Sequence, residues 1–195
     1  MILLFSLLFL IGSLPTAFLV GKIAQGKDLR KLGSGNIGAT NAFRVLGKKA
    51  GFFVFAVDFA KGYLPVLFAK PFFSGQEHWV WLVAAPILGH IFTPFLGFRG
   101  GKGIATGAGA LLALGSDLFL FSLAVWVLFF LLFRIVSVGS LVSSALLPLW
   151  AWFRGQDLNE VFLLSFLAVL FFWTHRSNLQ RLFTGKESNF SPRSK

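Results

Sequence analysis

Residues 118–133 read LFLFSLAVWVLFFLLF and contain no charged side chain. The rest of the chain has a similar character, because 56% of its 195 residues are hydrophobic and only 13% are charged. A soluble domain of this size could not bury so much apolar surface. The sequence therefore predicts an all-α, polytopic membrane protein that forms a single domain over residues 1–195.

Hydropathy divides the chain into about seven apolar segments, most of them near the roughly 20 residues that a helix needs to cross a bilayer. We predict transmembrane helices at 2–20, 51–69, 79–95, 104–114, 118–133, 138–153 and 161–174, with short cytoplasmic helices and loops that form the site. The fourth segment is short and rich in glycine, so we expect it to pack among other helices. The first segment lacks the basic leader of a secretion signal and is interpreted as a retained span.

The distribution of basic residues predicts how the chain crosses the membrane. If the N-terminus lies outside, only Lys61, Lys70 and Arg154 among the 18 Lys and Arg residues fall outside the cytoplasmic segments. Because cytoplasmic loops are enriched in cations, we expect an outside N-terminus, a cytoplasmic C-terminus and a cytoplasmic active site. The net charge of +11 would attract phosphorylated substrates and membrane lipids to that face. We expect no nucleic-acid partner.

The reactive residue types limit the possible chemistry. The chain has no cysteine, which excludes thiol nucleophiles, disulfides and iron–sulfur clusters. Its three histidines, at positions 78, 90 and 175, do not have the spacing of a metal site. We therefore predict no metal and no cofactor.

Three polar clusters interrupt the apolar chain, and we predict that they meet at one membrane surface. The first cluster is 33–41 (GSGNIGATN), the second is 100–103 (GGKG) and the third is 175–178 (HRSN). Backbone N–H groups freed by glycine, placed next to fixed cations, are how proteins hold phosphate. Three such clusters on one face indicate a single anion-binding site in an integral membrane enzyme.

The first cluster matches the dinucleotide-binding fingerprint over 33–38, and Asp58 follows it at a suitable distance. A nucleotide site needs a preceding strand, whereas here the motif follows a basic loop and Asp58 lies in an apolar run, so we reject that interpretation. The glycines instead predict a backbone nest that faces a short helix over 40–49, in which Asn41 and Arg44 share a face. A flexible connector is the alternative.

The second and third clusters supply candidate charged and hydrogen-bonding groups. The second is not a Walker loop, since Gly103 stands where a Ser or Thr would hold magnesium. Its glycines would let the backbone approach an anion and present Lys102, although a simple helix–helix turn is the alternative. In the third cluster, His175 and Asn178 share a helix face, and the following turn is expected to lie on the membrane surface until Gly185.

Together these segments resemble the bacterial acyl-phosphate-dependent glycerol-3-phosphate acyltransferases (PlsY type) over nearly the whole chain. The resemblance rests on the first cluster with Arg44, on 89–90 and 98–103, and on the third cluster with Glu187. It implies a seven-helix enzyme of the bacterial cytoplasmic (inner) membrane that moves an acyl group from acyl phosphate to the 1-hydroxyl of glycerol 3-phosphate. The products would be lysophosphatidic acid and phosphate, at the first step of phospholipid synthesis. It further implies an acyl-phosphate-producing enzyme as a partner at the membrane surface.

An acyl phosphate is an activated anhydride, so the enzyme needs to hold two phosphates, place a hydroxyl and offset developing charge. We expect the nest at 34–36 to hold the donor phosphoryl group, while Arg44 and Lys102, helped by Asn178, clamp the acceptor phosphate. The predicted catalytic residues are His175, Ser34 and Lys102. The predicted substrate-binding residues are Gly33, Ser34, Gly35, Asn36, Thr40, Asn41, Arg44, Gly100, Gly101, Lys102, Gly103, His175, Asn178 and Glu187.

The proton acceptor stays open between His175 and a phosphate oxygen of the substrate. We favour an orienting role for His175 with substrate-assisted proton transfer, and Glu187 could orient His175 or bind the glycerol hydroxyls. Ser34 is disfavoured as a nucleophile because no base stands beside it in the motif. Acyltransferases of the His-x₄-Asp type are excluded, since no histidine is followed by Asp at that spacing.

Four further expectations concern the remaining polar residues, the C-terminal tail and the rival function. Asp58 and Lys61, three residues apart inside a predicted span, are expected to pair with each other or with the loops. His90 is expected to tether the second cluster by a buried hydrogen bond, and residues 188–195 are predicted to be a mobile tail. A phosphate or organic-anion transporter is the alternative, although the outer loops lack a comparable polar cluster and no internal repeat is detectable.

Overall fold

The computed structural model describes residues 1–76 and 78–190, and in that part of the chain all regular structure is helical. The α-helices are α1 (Ile2–Gly12), α2 (Thr16–Gln25), α3 (Ala39–Leu46), α4 (Lys48–Phe73), α5 (Ala84–Ile91), α6 (Ile104–Leu114), α7 (Ser116–Phe133), α8 (Val136–Phe153), α9 (Leu158–Thr174) and α10 (Arg176–Phe183). Short 3₁₀ helices occupy Leu29–Lys31, Trp79–Val83 and Pro94–Leu96. Part of the predicted mobile tail, 191–195, lies outside the described residues.

Five segments of the described chain are long and apolar enough to cross a membrane. They are Ile2–Gln25, Lys48–Phe73, Trp79–Leu96, Ser116–Phe133 and Val136–Phe153. A sixth forms if α9 and α10, which meet at a bend of 61°, count as one span. The predicted all-α membrane fold is confirmed. The predicted number of seven spans is approximate, because α6 has only 11 residues and is too short to cross a bilayer alone.

The first predicted span is interrupted where the chain reaches Pro15, which separates α1 from α2. Proline has no N–H and its ring crowds the carbonyl four residues earlier, so the helix stops and the carbonyl groups just before the proline have no helical partners. Buried side chains from elsewhere in the chain bond to them. The Lys61 ammonium donates to the Leu14 carbonyl oxygen at 2.6 Å, and the Thr93 hydroxyl donates to the Ser13 carbonyl oxygen at 2.6 Å. The interruption therefore fastens α1 to α4 and to the chain that follows α5.

Glycines set the distance between two closely packed pairs of helices. Between α4 and α6, a Cβ on Gly62 would overlap the Thr106 carbonyl, and a Cβ on Gly109 would overlap the Phe59 carbonyl. Between α1 and α5, Gly89 lies in the same way against the Phe9 carbonyl. Backbones that approach this closely gain van der Waals contact that side chains would prevent. The expectation that 104–114 packs among other helices is confirmed.

The outward faces of the long helices carry apolar side chains. In α7, Leu118 is the buried residue of an 18-residue helix that is otherwise partly or fully exposed. At one end of α4, the Lys70 ammonium donates to the carbonyl oxygens of Ala113 and Leu114, at 3.2 and 2.7 Å, and so caps the last turn of α6. An apolar exterior around a satisfied backbone is the arrangement that a bilayer requires.

Candidate active site

The three polar clusters meet at one cavity of about 450 Å³. Most of the predicted site residues line it: Ser34, Asn36, Thr40, Asn41, Arg44, Lys102, Gly103, His175, Asn178 and Glu187. The glycines Gly33, Gly35, Gly100 and Gly101 do not line it. Segments more than a hundred residues apart in sequence therefore contribute to one site, and the four glycines serve to shape the loops behind it.

The loop that carries the first cluster is built around the side chain of Asn41. Its Oδ1 accepts the Ser34 N–H at 3.0 Å, and its Nδ2 donates to the carbonyl oxygens of Leu29 and Leu32 at 3.2 and 3.0 Å. Gly33, with φ of +60°, lies so close to this amide that a Cβ would overlap it. Asn41 and Gly33, predicted as substrate-binding residues, therefore hold the loop in shape.

The groups that this loop offers to an anion differ from the predicted nest at 34–36. The Ser34 N–H is bonded to Asn41, and the Gly35 N–H donates to the Leu32 carbonyl oxygen at 3.0 Å. The groups that face the cavity are the Ser34 and Asn36 side chains and the first turn of α3, whose N-cap residue, Gly38, has no side chain to cap it. Uncapped N–H groups at a helix N-terminus attract an anion through partial positive charge.

The first two glycines of the second cluster, Gly100 and Gly101, lie against the C-terminal end of α5. The Gly100 N–H donates to the Ile91 carbonyl oxygen at 2.8 Å, and the Gly101 N–H donates to the His90 carbonyl oxygen at 3.1 Å. A Cβ on either glycine would overlap His90. The N–H groups of these two predicted binding residues are therefore bonded to the end of α5. Gly103, with φ of +85°, immediately precedes α6 and, as the N-cap residue, has no side chain to cap the helix.

Lys102 extends from this loop to the third cluster. Its ammonium donates to Asn178 Oδ1, and its carbonyl oxygen accepts the Thr174 hydroxyl at 3.2 Å. Burial lowers the pKa of Lys102 to about 8; Glu187 acts against this shift, while Arg181 and Arg44 add to it. The ammonium is thus held in a part of the cavity with little solvent. The electrostatic attraction between the ammonium and a bound anion is stronger there than it would be in water.

His175 lies between α9 and α10 and is 3% exposed. Its Nδ1 is 2.8 Å from the Phe171 carbonyl oxygen. A carbonyl can only accept, so Nδ1 carries the proton and Nε2 is left as an acceptor. Burial, reinforced by the charge of Lys102, lowers the pKa of His175 to about 4. The imidazole is therefore neutral near physiological pH and can accept a hydrogen bond from a substrate hydroxyl.

Glu187 holds Asn178, the hydrogen-bond partner of Lys102, in place. Its carboxylate accepts hydrogen bonds from Asn178 Nδ2, from the Ser137 hydroxyl at 2.9 Å and from Arg181 Nε at 2.6 Å. Burial raises the pKa of Glu187, but these hydrogen bonds outweigh it and hold the pKa below its usual value. Among the described residues, Glu187 bonds to these partners and not to His175. It is therefore placed to orient Asn178, and not His175 as the sequence suggested.

Residues 188–190 form part of the cavity wall. Arg44 Nη2 is 3.4 Å from the Ser188 carbonyl oxygen, and the Phe190 N–H donates to the Arg134 carbonyl oxygen at 2.8 Å. The Phe190 ring packs edge-on against Phe43 and Phe130, with centroids 5.9 Å apart in both pairs. These contacts are made by the described part of the predicted mobile tail, residues 188–190. Sequence reasoning also missed Ser137, which is remote from the motifs, and Phe190, which lies in the predicted tail.

The other end of the cavity is apolar and lies between α4, α6, α7, α8 and α9. Its wall includes Phe59, Leu111, Phe119, Trp126 and Leu147. A row of serines on α8 also faces it, but these hydroxyls are satisfied locally by carbonyl groups of the same helix or by Trp126: Ser140, Ser143 and Ser144. Because these hydroxyls keep their hydrogen bonds, an acyl chain can contact this wall without leaving any of them unsatisfied.

Asp58 and His90 stand in the cavity wall behind the second cluster. The Lys61 ammonium is 2.8 Å from Asp58 Oδ1, which confirms the expected pairing within α4. The expected hydrogen bond between His90 and the second cluster is present and involves backbone atoms, since the Gly101 N–H donates to the His90 carbonyl oxygen. The described residues contain no group of three or more His, Asp or Glu side chains placed to hold a metal ion.

Comparisons with known proteins agree with this geometry. The family described as "Glycerol-3-phosphate acyltransferase" matches residues 2–185. A glycerol-3-phosphate acyltransferase of Desulfotalea psychrophila is 41% identical over 186 residues, covering 93% of this chain and 94% of its own. One of Listeria monocytogenes is 41% identical over 189 residues, covering 96% and 95%.

Two solved structures have the same fold. Both are described as PlsY (YgiH), an integral membrane glycerol 3-phosphate acyltransferase, and both are 38% identical to this chain. The glycerol 3-phosphate form has a TM-score of 0.92 and covers 97% of this chain and 95% of its own, and the lysophosphatidic acid form has a TM-score of 0.88 with 98% and 95%. The chain therefore belongs to the glycerol-3-phosphate acyltransferase family of integral membrane proteins.

Proposed function

We propose that this acyltransferase moves a fatty acyl group from acyl phosphate to the 1-hydroxyl of glycerol 3-phosphate. The hydroxyl oxygen forms a bond to the acyl carbon, the bond from that carbon to the phosphate oxygen breaks, and lysophosphatidic acid and inorganic phosphate are released. The observation that carries the proposal is a single cavity with two unlike ends. One end has cationic groups and uncapped helix N-termini, and the other, called the apolar arm below, is the apolar end between α4, α6, α7, α8 and α9.

Glycerol 3-phosphate is held by Arg44 and Lys102, with Asn178 next to them. Both cations line the cavity, and charge-assisted hydrogen bonds to phosphate contribute roughly 1.5–3 kcal/mol each. A bound phosphate favours the charged form of Lys102 and so raises its pKa from the value near 8 that burial imposes. Support comes from the relative whose solved form is described as the glycerol 3-phosphate form.

The donor phosphate is held at the N-terminus of α3 by Ser34, Asn36 and the N–H groups of the first helical turn. The acyl chain then extends into the apolar arm of the cavity, where each buried CH₂ contributes about 0.8 kcal/mol. This placement puts the activated carbonyl between the two phosphate sites. The anhydride is already activated, so transfer needs orientation and charge stabilisation more than a covalent nucleophile.

His175 accepts a hydrogen bond from the 1-hydroxyl of glycerol 3-phosphate through Nε2. Its pKa of about 4 makes it a weak base, whereas a phosphate monoester has a second pKa of about 6. We therefore assign the proton to a phosphate oxygen of a substrate, and an orienting role to His175. Ser34 acts as a hydrogen-bonding group, since no histidine or carboxylate bonds to its hydroxyl among the described residues.

The site faces the cytoplasm and the N-terminus lies outside. This orientation is supported by the segments that carry the site residues, which also carry most of the basic residues. Glycerol 3-phosphate and the product of an acyl-phosphate-producing enzyme at the membrane surface would then reach the cavity from the same side.

Phosphate release from acyl phosphate by the purified enzyme in detergent tests the proposal against anion transport. We expect release of phosphate and formation of lysophosphatidic acid only when glycerol 3-phosphate is present. Transport of phosphate or glycerol 3-phosphate into liposomes, without acyl transfer by the same preparation, would contradict the proposed reaction and favour the transporter.

A further inference from the structure

Three ionisable side chains buried in the membrane-spanning part of the protein have no role in the proposed chemistry. Asp58 and Lys61 on α4 and His90 on α5 are 1%, 6% and 7% exposed. Charged groups at membrane depth are costly, and proteins keep them mainly where they serve a site or a pathway. Their location relative to the second cluster shows what they can do.

One side of the His90 imidazole faces Asp58. The His90 Nδ1 is 3.7 Å from Asp58 Oδ1, too long for a hydrogen bond, and within 1–76 and 78–190 this nitrogen has no hydrogen-bond partner. Asp58 is itself held by the Lys61 ammonium at 2.8 Å, and that ammonium donates to the Leu14 carbonyl oxygen at 2.6 Å. The carboxylate is thus fixed to the interruption between α1 and α2.

The other side of the imidazole supports the loop of the second cluster. The atoms nearest to a Cβ placed on Gly101 are Nε2, Cε1 and Cδ2 of His90, and the Cβ would overlap them. The Gly101 N–H also donates to the His90 carbonyl oxygen at 3.1 Å. Lys102 is the next residue, so a displacement of the ring moves the backbone that carries the phosphate-binding ammonium.

We propose that Asp58 and His90 are positioning residues of the acyltransferase. Asp58 contacts one side of the His90 ring and limits its movement, the other side of the ring sets the position of Gly101, and Gly101 thereby places Lys102 for the phosphate of glycerol 3-phosphate. Neither Asp58 nor His90 touches the substrate phosphate in this scheme. The inference rests on the proposed role of Lys102, and its consequence is a defect in acceptor binding and not in donor binding.

Calorimetric binding of glycerol 3-phosphate to the purified full chain in detergent tests this without an acyl donor. Asp58→Asn keeps the shape of the side chain and removes its charge, and His90→Asn keeps a donor near Nδ1 and removes the part of the ring under Gly101. Each change should raise the Kd for glycerol 3-phosphate about 10-fold. In turnover, the KM for glycerol 3-phosphate should rise in parallel, with kcat and the KM for acyl phosphate within about threefold of the wild type.

Lys70→Met is the matched control on the same helix. Lys70 bonds to the end of α6 at the other end of α4, so its loss should lower the melting temperature without changing the Kd for glycerol 3-phosphate.

A double substitution adds a test of direct coupling between Gly101 and His90. Gly101→Ala should raise the Kd by itself, and adding His90→Ala, which removes the overlapping ring, should lower the Kd again by at least about threefold.

The outcomes separate this inference from the proposed function. If the wild type binds glycerol 3-phosphate and Asp58→Asn and His90→Asn bind it equally well, the positioning role is wrong. It is also wrong if the effects of Gly101→Ala and His90→Ala on the Kd simply add. If the folded wild type does not bind glycerol 3-phosphate at all, the proposed function fails, and the inference fails with it.

Discussion

The ammonium of Lys102 donates a hydrogen bond to the side-chain oxygen of Asn178, although 76 residues separate them in sequence. This bond joins the second polar cluster to the third. Asn178 in turn donates to Glu187, which also accepts from Ser137 and Arg181. The cation proposed to bind phosphate is therefore held by a network that begins on α8 and ends on α10, and changes in the network should alter substrate affinity.

Removal of either phosphate-binding cation should reduce catalysis strongly. Arg44→Ala or Lys102→Ala removes one charge-assisted contact, and we expect kcat/KM to fall about 10- to 100-fold or more. Lys31→Ala, which removes an exposed cation near the first cluster, is the control and should retain full activity. A decrease smaller than about fivefold in folded, purified Arg44→Ala and Lys102→Ala enzymes would refute the phosphate clamp.

The lowered pKa of Lys102 predicts a specific pH dependence. The charged form binds phosphate and exists below the pKa of about 8, so the KM for glycerol 3-phosphate should rise as the pH increases through that value. Lys102→Arg should remove this rise, because a guanidinium stays charged over the whole range. Initial rates between about pH 6 and 9 would measure it, and an identical rise in both enzymes would assign the effect to another group.

Replacement of His175 separates orientation from base catalysis. Glutamine can place a hydrogen-bonding group near the position of Nε2, so His175→Gln should keep about a tenth or more of the wild-type kcat, whereas His175→Ala should lose about 100-fold. The pH profiles of the wild type and His175→Gln should have the same acidic limb. Complete inactivity of His175→Gln, together with loss of a limb from the profile, would restore the general-base role.

The network behind Lys102 should be needed for affinity. Glu187→Ala leaves Asn178 and Arg181 without their carboxylate partner, and we expect about a 10-fold increase in the KM for glycerol 3-phosphate. Lys186→Ala, at the exposed neighbouring position, should have little effect. Equal kinetics for the two variants would show that Glu187 does not organise the site.

Helix packing at glycine should limit stability. Gly109→Ala would place a Cβ inside the Phe59 carbonyl group, so α4 and α6 must separate, at a cost of roughly 1–3 kcal/mol or more. We expect a lower melting temperature in detergent. Gly75→Ala, where a Cβ would meet no atom within 4 Å, is the control. A Gly109→Ala protein as stable as Gly75→Ala would contradict the close packing.

Much of the site could be predicted from the sequence because charged and glycine-rich segments are rare in an apolar chain. Lys102, His175 and Arg44 stood out for that reason, and the structure brings them to one cavity. The individual roles of the glycines could not be predicted. Whether Gly100 faces a ligand or the end of a helix depends on tertiary packing, and its N–H is bonded to Ile91.

Elements without a distinctive composition were harder to predict. The interruption between α1 and α2 leaves hydropathy unchanged, and it is stable because Lys61 and Thr93, far away in sequence, satisfy the freed carbonyl groups. Residues 188–190 look like a polar tail, yet Phe190 packs between Phe43 and Phe130. Long-range contacts of this kind have no signal in local sequence patterns.

A structure of this protein with glycerol 3-phosphate bound tests the central claim most directly. We expect phosphate oxygens within about 3.2 Å of both the Arg44 guanidinium and the Lys102 ammonium, with the 1-hydroxyl at the same distance from His175 Nε2. A phosphate located away from both cations, or a 1-hydroxyl directed away from the apolar arm of the cavity, would contradict it.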